Sequence, residues 1–442
     1  MIKNGPLLRF FVSIPNSIIV LTQRAWLSGS GVITVFVIVY SLTSVEQGWY
    51  YTFQSIAAIS ILLDFGLSAI IVQMTVKESM GLTFGPNGEL VGNGVSRTIG
   101  FIKGVQRWYN YSAVACWTLF PVGVLIFYQG TALISSTWIW PWVLLVLFTS
   151  INQIVLPWPF ILEGLGRVRE SYLLRLGQGI FGSVLLWAAL LSGLGIYAVV
   201  MRPLAMIVIA SGWLALSRSG LLSQIRSGTT AAFAWKKQIG KLHKQTAVSW
   251  IAGYALMHLY VPILFSVSGP TAAGQLGLSM TIANTLVLLS QSWITSSFSL
   301  LSQSAASRDW MRMDHIFLKP FRLGVTLYLF GAGTFLLACY ALEGTHYGSR
   351  LLPIPELAVL LIAFFATHIA SMLETQVRAY RRDPFALNSA VCAFITLAAV
   401  FPAVQAFGVI GVVTLSAFVS IAVRLPWSAY LFRRSNQQWR HY

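Results

Sequence analysis

Charged side chains are scarce in this chain of 442 residues. Asp, Glu, Lys and Arg together make up 9% of it, against 56% hydrophobic residues. An average soluble domain carries about a quarter charged residues. So few charges cannot cover the surface that a soluble fold of this size exposes to water. The composition therefore excludes a soluble globular protein and predicts an all-α polytopic membrane protein.

Acidic residues, cysteines and catalytic motifs are also few. The chain has 12 acidic residues against 29 Lys and Arg, and a net charge of +17. Its cysteines, Cys116, Cys339 and Cys392, fall in apolar runs at spacings that suit neither a metal site nor a disulfide. There is no P-loop, no HExxH and no GxSxG motif. We therefore expect no cofactor, no metal site and no catalytic centre. The protein is predicted not to be an enzyme.

One triplet, Asp64-Phe65-Gly66, matches the magnesium-binding motif of protein kinases. The chain lacks the Gly-rich phosphate loop, the strand lysine and the His-Arg-Asp loop that a kinase also needs. We therefore treat the match as chance. A carboxylate in an apolar run still requires an explanation.

Apolar runs long enough to cross a bilayer, about 20 residues each, recur along the chain. They predict twelve transmembrane helices in two six-helix lobes around a central cavity. The N-lobe is 1–216, a basic cytoplasmic linker is 217–245, and the C-lobe with its cytoplasmic tail is 246–442. The first, second and eighth runs are long enough to tilt or kink. The predicted spans are 14–40, 49–76, 108–128, 138–162, 176–193, 195–216, 246–267, 275–301, 323–342, 353–376, 386–404 and 408–431.

The positions of the basic residues predict the orientation. With the N-terminus in the cytoplasm, 25 of the 29 Lys and Arg fall on the cytoplasmic side and one, Arg350, falls outside. Basic residues favour cytoplasmic loops. Both termini are thus predicted to be cytoplasmic, and the positive charge is expected to face anionic lipid head groups, not nucleic acid. The linker is equally compatible with a helix on the membrane surface and with a solvated segment. It contains Lys236, Lys237, Lys241 and Lys244.

A weak repeat joins the two halves. Predicted spans two and eight open at Gly48 and Gly274, and each has Ser or Thr seven residues later. Six spans in each half would give the halves the same orientation. Such a parallel repeat often places a substrate site between its halves.

Charged residues at membrane depth are the main candidates for function, because they are costly there and usually face a cavity or a partner. Asp64 lies near the middle of predicted span two, on a stripe with Ser60, Ser68 and Thr75. It could bind a cation, take up a proton or pair with an arginine in a water-filled cavity. It could equally join two helices through hydrogen bonds.

Three arginines also fall within predicted spans: Arg24, Arg202 and Arg424. A guanidinium is a permanently charged, forked donor that suits phosphate or carboxylate. Arg24 favours such a role because it lies deep and on a polar face. For Arg202 binding and snorkelling are equally supported, whereas Arg424 fits better with snorkelling to the interface.

Two further polar groups complete the candidates. Asn284, Gln291 and Thr295 share one stripe of predicted span eight, which suits either sugar hydroxyls or helix packing. Glu374 and Arg378, four residues apart in span ten, are predicted to pair near the inner surface. Asp64 and Glu374 are the candidate coupling or cavity carboxylates.

Several short segments resemble O-antigen flippases, the Wzx-type polysaccharide biosynthesis proteins. These are Leu42 to Ser55 followed by Leu63 to Leu67, Gly88 to Gly92 with Ser96-Arg97 and Arg107-Trp108-Tyr109, and Gly269 to Ser279. Such proteins belong to the multidrug/oligosaccharidyl-lipid/polysaccharide exporter superfamily. The length, the number of spans and the two-lobed plan agree with this resemblance.

The resemblance implies a flippase that moves an undecaprenyl-pyrophosphate-linked oligosaccharide to the periplasmic leaflet of the bacterial inner membrane. It implies a cationic cavity, which Arg24 and Arg202 match in kind, and proton or sodium coupling, for which Asp64 is the candidate. It also implies membrane lipids, an O-antigen polymerase and a chain-length regulator as partners. The alternatives are a multidrug cation antiporter of the same superfamily and a membrane-bound glycosyltransferase or polymerase.

Overall fold

The computed structural model describes residues 15–131, 136–227, 251–254, 256–380 and 384–440. Helices make up nearly all of these residues. A π-helical segment, Val419–Arg424, joins the last two helices. In chain order, helices α1 to α16 are Asn16–Ser41, Ser44–Ala57, Ile59–Leu62, Leu67–Glu78, Val95–Ala115, Leu119–Thr131, Ile139–Val155, Trp158–Gly164, Val168–Leu191, Met201–Ser217, Ser219–Ser227, Tyr260–Ala306, Trp310–Ala341, Ile354–Arg378, Ala386–Phe418 and Leu425–Arg440.

Nine helical segments of the described chain are long and apolar enough to cross a membrane. Two of these, Ile251–Ala306 and Ala386–Gln438, have 56 and 53 residues, more than twice the length of one crossing. Non-helical backbone at Gly269 and Gly408 interrupts them, close to the boundaries predicted between spans seven and eight and between spans eleven and twelve. The all-helical polytopic membrane fold is confirmed, while the count of twelve spans stays a prediction.

The predicted second span, 49–76, is not one helix. It comprises most of α2, then α3 and α4, with a turn between Leu62 and Leu67. Phe65 and Gly66 in this turn have positive φ angles of 46° and 73°. Such angles cannot continue a right-handed helix, and they are easily adopted by glycine. The length of this span indicated a tilt or a kink, and the structure has a kink next to Asp64.

Two connections contain short regular elements. The Gly-rich segment after Lys77 contains a short antiparallel hairpin, β1 at Thr83–Phe84 and β2 at Leu90–Val91. In the predicted basic linker, α11 covers Ser219–Ser227. The part of the linker that holds Lys236, Lys237, Lys241 and Lys244 lies outside the described residues.

The chain forms two compact units. Unit 1 comprises Met1–Val37, Ile59–Pro121 and Thr137–Ala247, and unit 2 comprises Ile38–Ala58, Val122–Ser136 and Val248–Tyr442. The core of unit 1 contains the fully buried Phe101, Ile102 and Ile161, and a core cluster of unit 2 contains Leu301 and Met313. Helix α2 and most of α6 thus belong to the unit that holds the C-terminal helices, and the predicted lobe boundaries at 216 and 246 stay predictions.

Candidate functional site

Asp64 lies in the turn just before α4 and is 4% exposed. Tyr109 of α5 donates a hydrogen bond to its Oδ1. Its Oδ2 accepts a hydrogen bond of 2.9 Å from Ser68 Oγ and lies 3.4 Å from Ser68 N. A carboxylate next to a helix N-terminus is also favoured by the exposed N–H groups there. Both oxygens of the carboxylate therefore have donors from the protein.

The carbonyl groups around this turn are satisfied by side chains from neighbouring helices. Gln153 Nε2 of α7 donates to Ser60 O at 2.8 Å. Trp108 Nε1 and Ser112 Oγ of α5 lie 3.2 and 3.3 Å from Leu63 O. In a bilayer a broken helix is tolerated where such partners replace the lost backbone bonds. Side chains of unit 1 thus stabilise the break in the helix. The break divides the polar stripe that was predicted along a continuous span two.

Glu374 of α14 is the centre of a second polar cluster, inside unit 2, and is 3% exposed. Its Oε2 lies 3.3 Å from Arg378 Nη2, so the i,i+4 pair predicted from the sequence forms. Its Oε1 lies 3.4 Å from Arg424 Nη2 and accepts a hydrogen bond of 3.2 Å from Ser428 Oγ. One buried carboxylate is therefore shared by two arginines.

Arg424 does not simply extend to an interface, as its position in the sequence favoured. Its side chain is 19% exposed and, besides Glu374, approaches Ser371 Oγ at 3.4 Å. It ends the π-helical segment Val419–Arg424, a type of helical turn that is frequent at functional sites. The sequence signal for this cluster was a carboxylate and an arginine within predicted spans. Their pairing across 50 residues requires the tertiary fold.

Arg24 and Arg202 lie on helices of unit 1. Both are exposed, Arg24 in the middle of α1 and Arg202 at the second residue of α10. Leu21 and Leu27, one helical turn to either side of Arg24, are 60% and 61% exposed. Within the described ranges, neither arginine forms an ion pair. Two permanent charges therefore remain available on membrane-spanning helices.

The predicted polar stripe of span eight lies on α12 in unit 2. Asn284 and Gln291 are half-buried and Thr295 is exposed. The Thr295 hydroxyl donates to Gln291 O of its own helix at 2.9 Å. The side-chain amides of Asn284 and Gln291 have no hydrogen-bond partner in the part of the chain that the structure describes. Four predicted site residues lie in unit 2: Asn284, Gln291, Thr295 and Glu374. Of these, only Glu374 contacts polar side chains of another helix in the contacts described above.

No protein-family model and no curated protein matches this chain. Solved structures do match it over nearly its whole length. The lipid II flippase MurJ, in an inward closed conformation, gives a TM-score of 0.68 at 10% identity and covers 96% of this chain and 89% of its own. The MATE multidrug transporter DinF-BH gives 0.64 at 11% identity and covers 96% of both chains.

An inward-facing multidrug resistance MATE family transporter of the MOP superfamily gives a TM-score of 0.58 at 13% identity, covering 93% of this chain and 99% of its own. This chain therefore shares its fold with these three solved transporters. The sequence resemblance implied this fold. At such low identity the likeness establishes the fold alone and does not separate flippases from drug transporters.

Proposed function

We propose that this chain is a flippase for an undecaprenyl-pyrophosphate-linked oligosaccharide, an O-antigen-type repeat unit. It would move the lipid-linked glycan from the cytoplasmic to the periplasmic leaflet of the bacterial inner membrane by alternating access. Both termini would face the cytoplasm. Membrane lipids would surround the chain. Its protein partners would be an O-antigen polymerase and a chain-length regulator.

One observation supports this proposal: the buried carboxylates Asp64 and Glu374 have partners within the protein, whereas two of the arginines have none among the described residues. Asp64 accepts from Tyr109 and Ser68, and Glu374 is held by Arg378, Arg424 and Ser428. Arg24 and Arg202 are exposed and have no ion-pair partner among the described residues. A free guanidinium suits a phosphate, and an occupied carboxylate has little left to offer an organic cation.

The candidate residues divide into those that would bind the pyrophosphate, those that would bind the sugars and those that could couple transport to an ion. Arg24 and Arg202 would contact the pyrophosphate, and the amides of Asn284 and Gln291 with the Thr295 hydroxyl would contact the sugars. The prenyl chain would stay in lipid. If transport is coupled to protons or sodium, the coupling group would be one of the two buried carboxylates, Asp64 or Glu374, which would first have to release its donors.

A multidrug cation antiporter is the second candidate. The two MATE transporters that share the fold cover 93% and 96% of this chain, against 96% for MurJ. Such a transporter would need a carboxylate that is free to meet a cation. A glycosyltransferase or polymerase has no support from the transporters that share this fold.

Reconstitution tests the proposal directly. Full-length protein in liposomes would receive a fluorescent undecaprenyl-pyrophosphate oligosaccharide, and flipping would be followed by quenching from outside. The parent should flip the lipid, and Arg24→Gln and Arg202→Gln should slow it by about tenfold each, the loss typical of one charged hydrogen-bond partner.

The exposed Arg312 of α13 gives the matched control. Arg312→Gln removes the same charge and should flip at the parental rate. A parent that leaves the lipid in place but exports a fluorescent organic cation such as ethidium would replace the flippase proposal with the antiporter.

A further inference from the structure

The loop between α13 and α14, residues 342–353, holds a buried arginine. Arg350 is the one basic residue that the sequence predicts outside the cytoplasm, and it is 3% exposed. Its guanidinium forms no ion pair among the described residues, where Nε and Nη1 are enclosed and have no hydrogen-bond partner. A buried cation that lacks acceptors is costly. The contact made by the remaining group, Nη2, therefore decides how firmly this side chain is held.

His346, in the same loop, supplies the acceptor for Nη2. Its Nε2 lies 3.0 Å from Nη2 of Arg350, and the ring of Tyr347 lies 6.1 Å from the imidazole. A guanidinium only donates, so the imidazole must accept through the lone pair of its neutral form, with the proton on Nδ1. A protonated imidazole has no lone pair and would add a second positive charge beside the first. The contact is therefore specific for neutral His346.

The acidic residues nearby do not replace the imidazole as an acceptor. Burial lowers the pKa of Arg350, and the negative charge of Glu46 on α2 raises it. The arginine still stays charged wherever an imidazole titrates. Glu46 is itself engaged, because its Oε2 accepts from N and Oγ1 of Thr43 at 2.8 Å each. In the described part of the chain, Glu343 of the loop and Glu356 of α14 form no ion pair with the guanidinium or the imidazole.

Uncharged side chains of α2 and α12 hold the loop beside this arginine. Gln47 Nε2 of α2 donates to Arg350 O at 3.0 Å. Leu352 N donates to Ser279 Oγ of α12 at 3.1 Å. These two bonds do not titrate, and they connect the backbone on either side of residue 351 to two helices of unit 2. A change in how the Arg350 side chain is held therefore acts directly on this attachment.

We propose that loop 342–353 is a pH-sensitive latch on unit 2, closed by neutral His346 and released when His346 is protonated. Protonation removes the one acceptor that the described residues offer to the Arg350 guanidinium and places a like charge beside it. The buried arginine must then move towards water or towards Glu46, and the loop opens with it.

The direction of the pH effect follows from this contact. Folding favours the neutral imidazole, so the stabilisation of the closed loop is present above the pH range in which an imidazole titrates. It is lost as the pH falls through that range. The latch does not depend on the proposed flippase activity.

Hydrogen exchange of the full chain in detergent micelles tests the latch. Mass spectrometry would give the protection factors of the loop amides, including Leu352 N, at about pH 8 and about pH 5. Each is taken against the unstructured exchange rate at the same pH. Protection in the parent should fall by about tenfold at the lower pH, the loss expected for one hydrogen bond to a charged group. Equal protection at the two pH values would overturn the proposal.

Two histidine variants assign the effect. His346→Gln keeps a side-chain acceptor that cannot be protonated, so its loop protection should stay within about twofold between the two pH values. His315→Gln is the matched control, because His315 is an exposed histidine near the other end of α13. It should show the parental fall. A His346→Gln protein whose loop loses protection as the parent does would contradict the latch.

Arg350→Gln tests the other side of the contact. Without the buried cation, protonation of His346 should no longer release the loop, whatever the overall stability of this variant. A parental fall in protection at the lower pH in folded Arg350→Gln protein would contradict the latch. If this variant does not fold, the comparison of His346→Gln with His315→Gln still decides the question.

Discussion

Gly48 of α2 lies against Gly274 of α12 so closely that neither position has room for a side chain. A Cβ on Gly274 would be 2.8 Å from Gly48 N, and a Cβ on Gly48 would overlap the carbonyl of Pro270. Gln47 Nε2 reinforces the crossing by donating to Gly274 O at 2.9 Å and to Arg350 O at 3.0 Å. The two glycines that open the similar segments of the sequence therefore meet within unit 2.

An aromatic cluster packs beside this crossing. The ring of Trp49 lies 4.7 Å from that of Phe265 and 5.1 Å from that of Phe127, both in edge-to-face arrangements. Edge-to-face pairs add to the stabilisation that comes from burial. The crossing is thus fixed by close backbone approach, by buried hydrogen bonds and by aromatic packing together.

Gly274→Leu should destabilise the protein by about 1–3 kcal/mol, the usual cost of inserting volume into a packed site. Gly333→Leu is the matched control, because Gly333 lies in α13 and a Cβ there would meet nothing within 4 Å. Thermal unfolding of the detergent-purified protein measures both. Equal melting temperatures for the two variants would show that the crossing tolerates a side chain.

Glu374→Gln should lower stability far more than Arg378→Gln. Glu374→Gln removes the charge of a nearly buried carboxylate that both Arg378 and Arg424 contact, and the loss of one partner of a buried pair costs about 3–5 kcal/mol. The Arg378 side chain is 43% exposed, so its loss should cost about 0–1 kcal/mol. Chemical unfolding of both variants checks this order, and similar losses would argue against Glu374 as the centre of the cluster.

Tyr109→Phe should destabilise unit 1 by about 1–3 kcal/mol, because it leaves one oxygen of the buried Asp64 carboxylate without its donor. Tyr111→Phe, two residues away on α5 and 68% exposed, should have almost no effect. The difference in melting temperature between these two variants is the measurement. An unchanged Tyr109→Phe protein would mean that the hydrogen bond to Asp64 is dispensable.

Asp64→Asn should retain transport with an unchanged pH profile, since the side-chain carbonyl oxygen can still accept from Tyr109. This expectation follows from the hydrogen bonds that engage the carboxylate from both sides. Initial transport rates in liposomes across a range of external pH values test it. A profile that loses its pH dependence while the melting temperature stays parental would instead support Asp64 as the coupling group.

The architecture was largely predictable because lipid exposure leaves a strong mark on composition. Long apolar runs, few charges and the clustering of Lys and Arg between those runs predicted a helical membrane protein, and the Glu374–Arg378 pair followed from helical spacing alone. The length of predicted span two indicated a tilt or a kink, and the structure has a kink. Its position could not be predicted, because it depends on Tyr109, Trp108 and Gln153 satisfying the broken helix from α5 and α7.

The sequence by itself determined that the chain spans a membrane, which charged residues fall within its apolar runs and where the cations concentrate. Only the tertiary structure decided what those charges contact. Arg424 meets Glu374, Tyr109 meets Asp64, and Gly48 meets Gly274 across separations of 45 residues or more. Periodicity gives the face of one helix on which a side chain lies. It carries no information about which other helix packs there. That packing decides whether a carboxylate or an arginine has a partner within the protein.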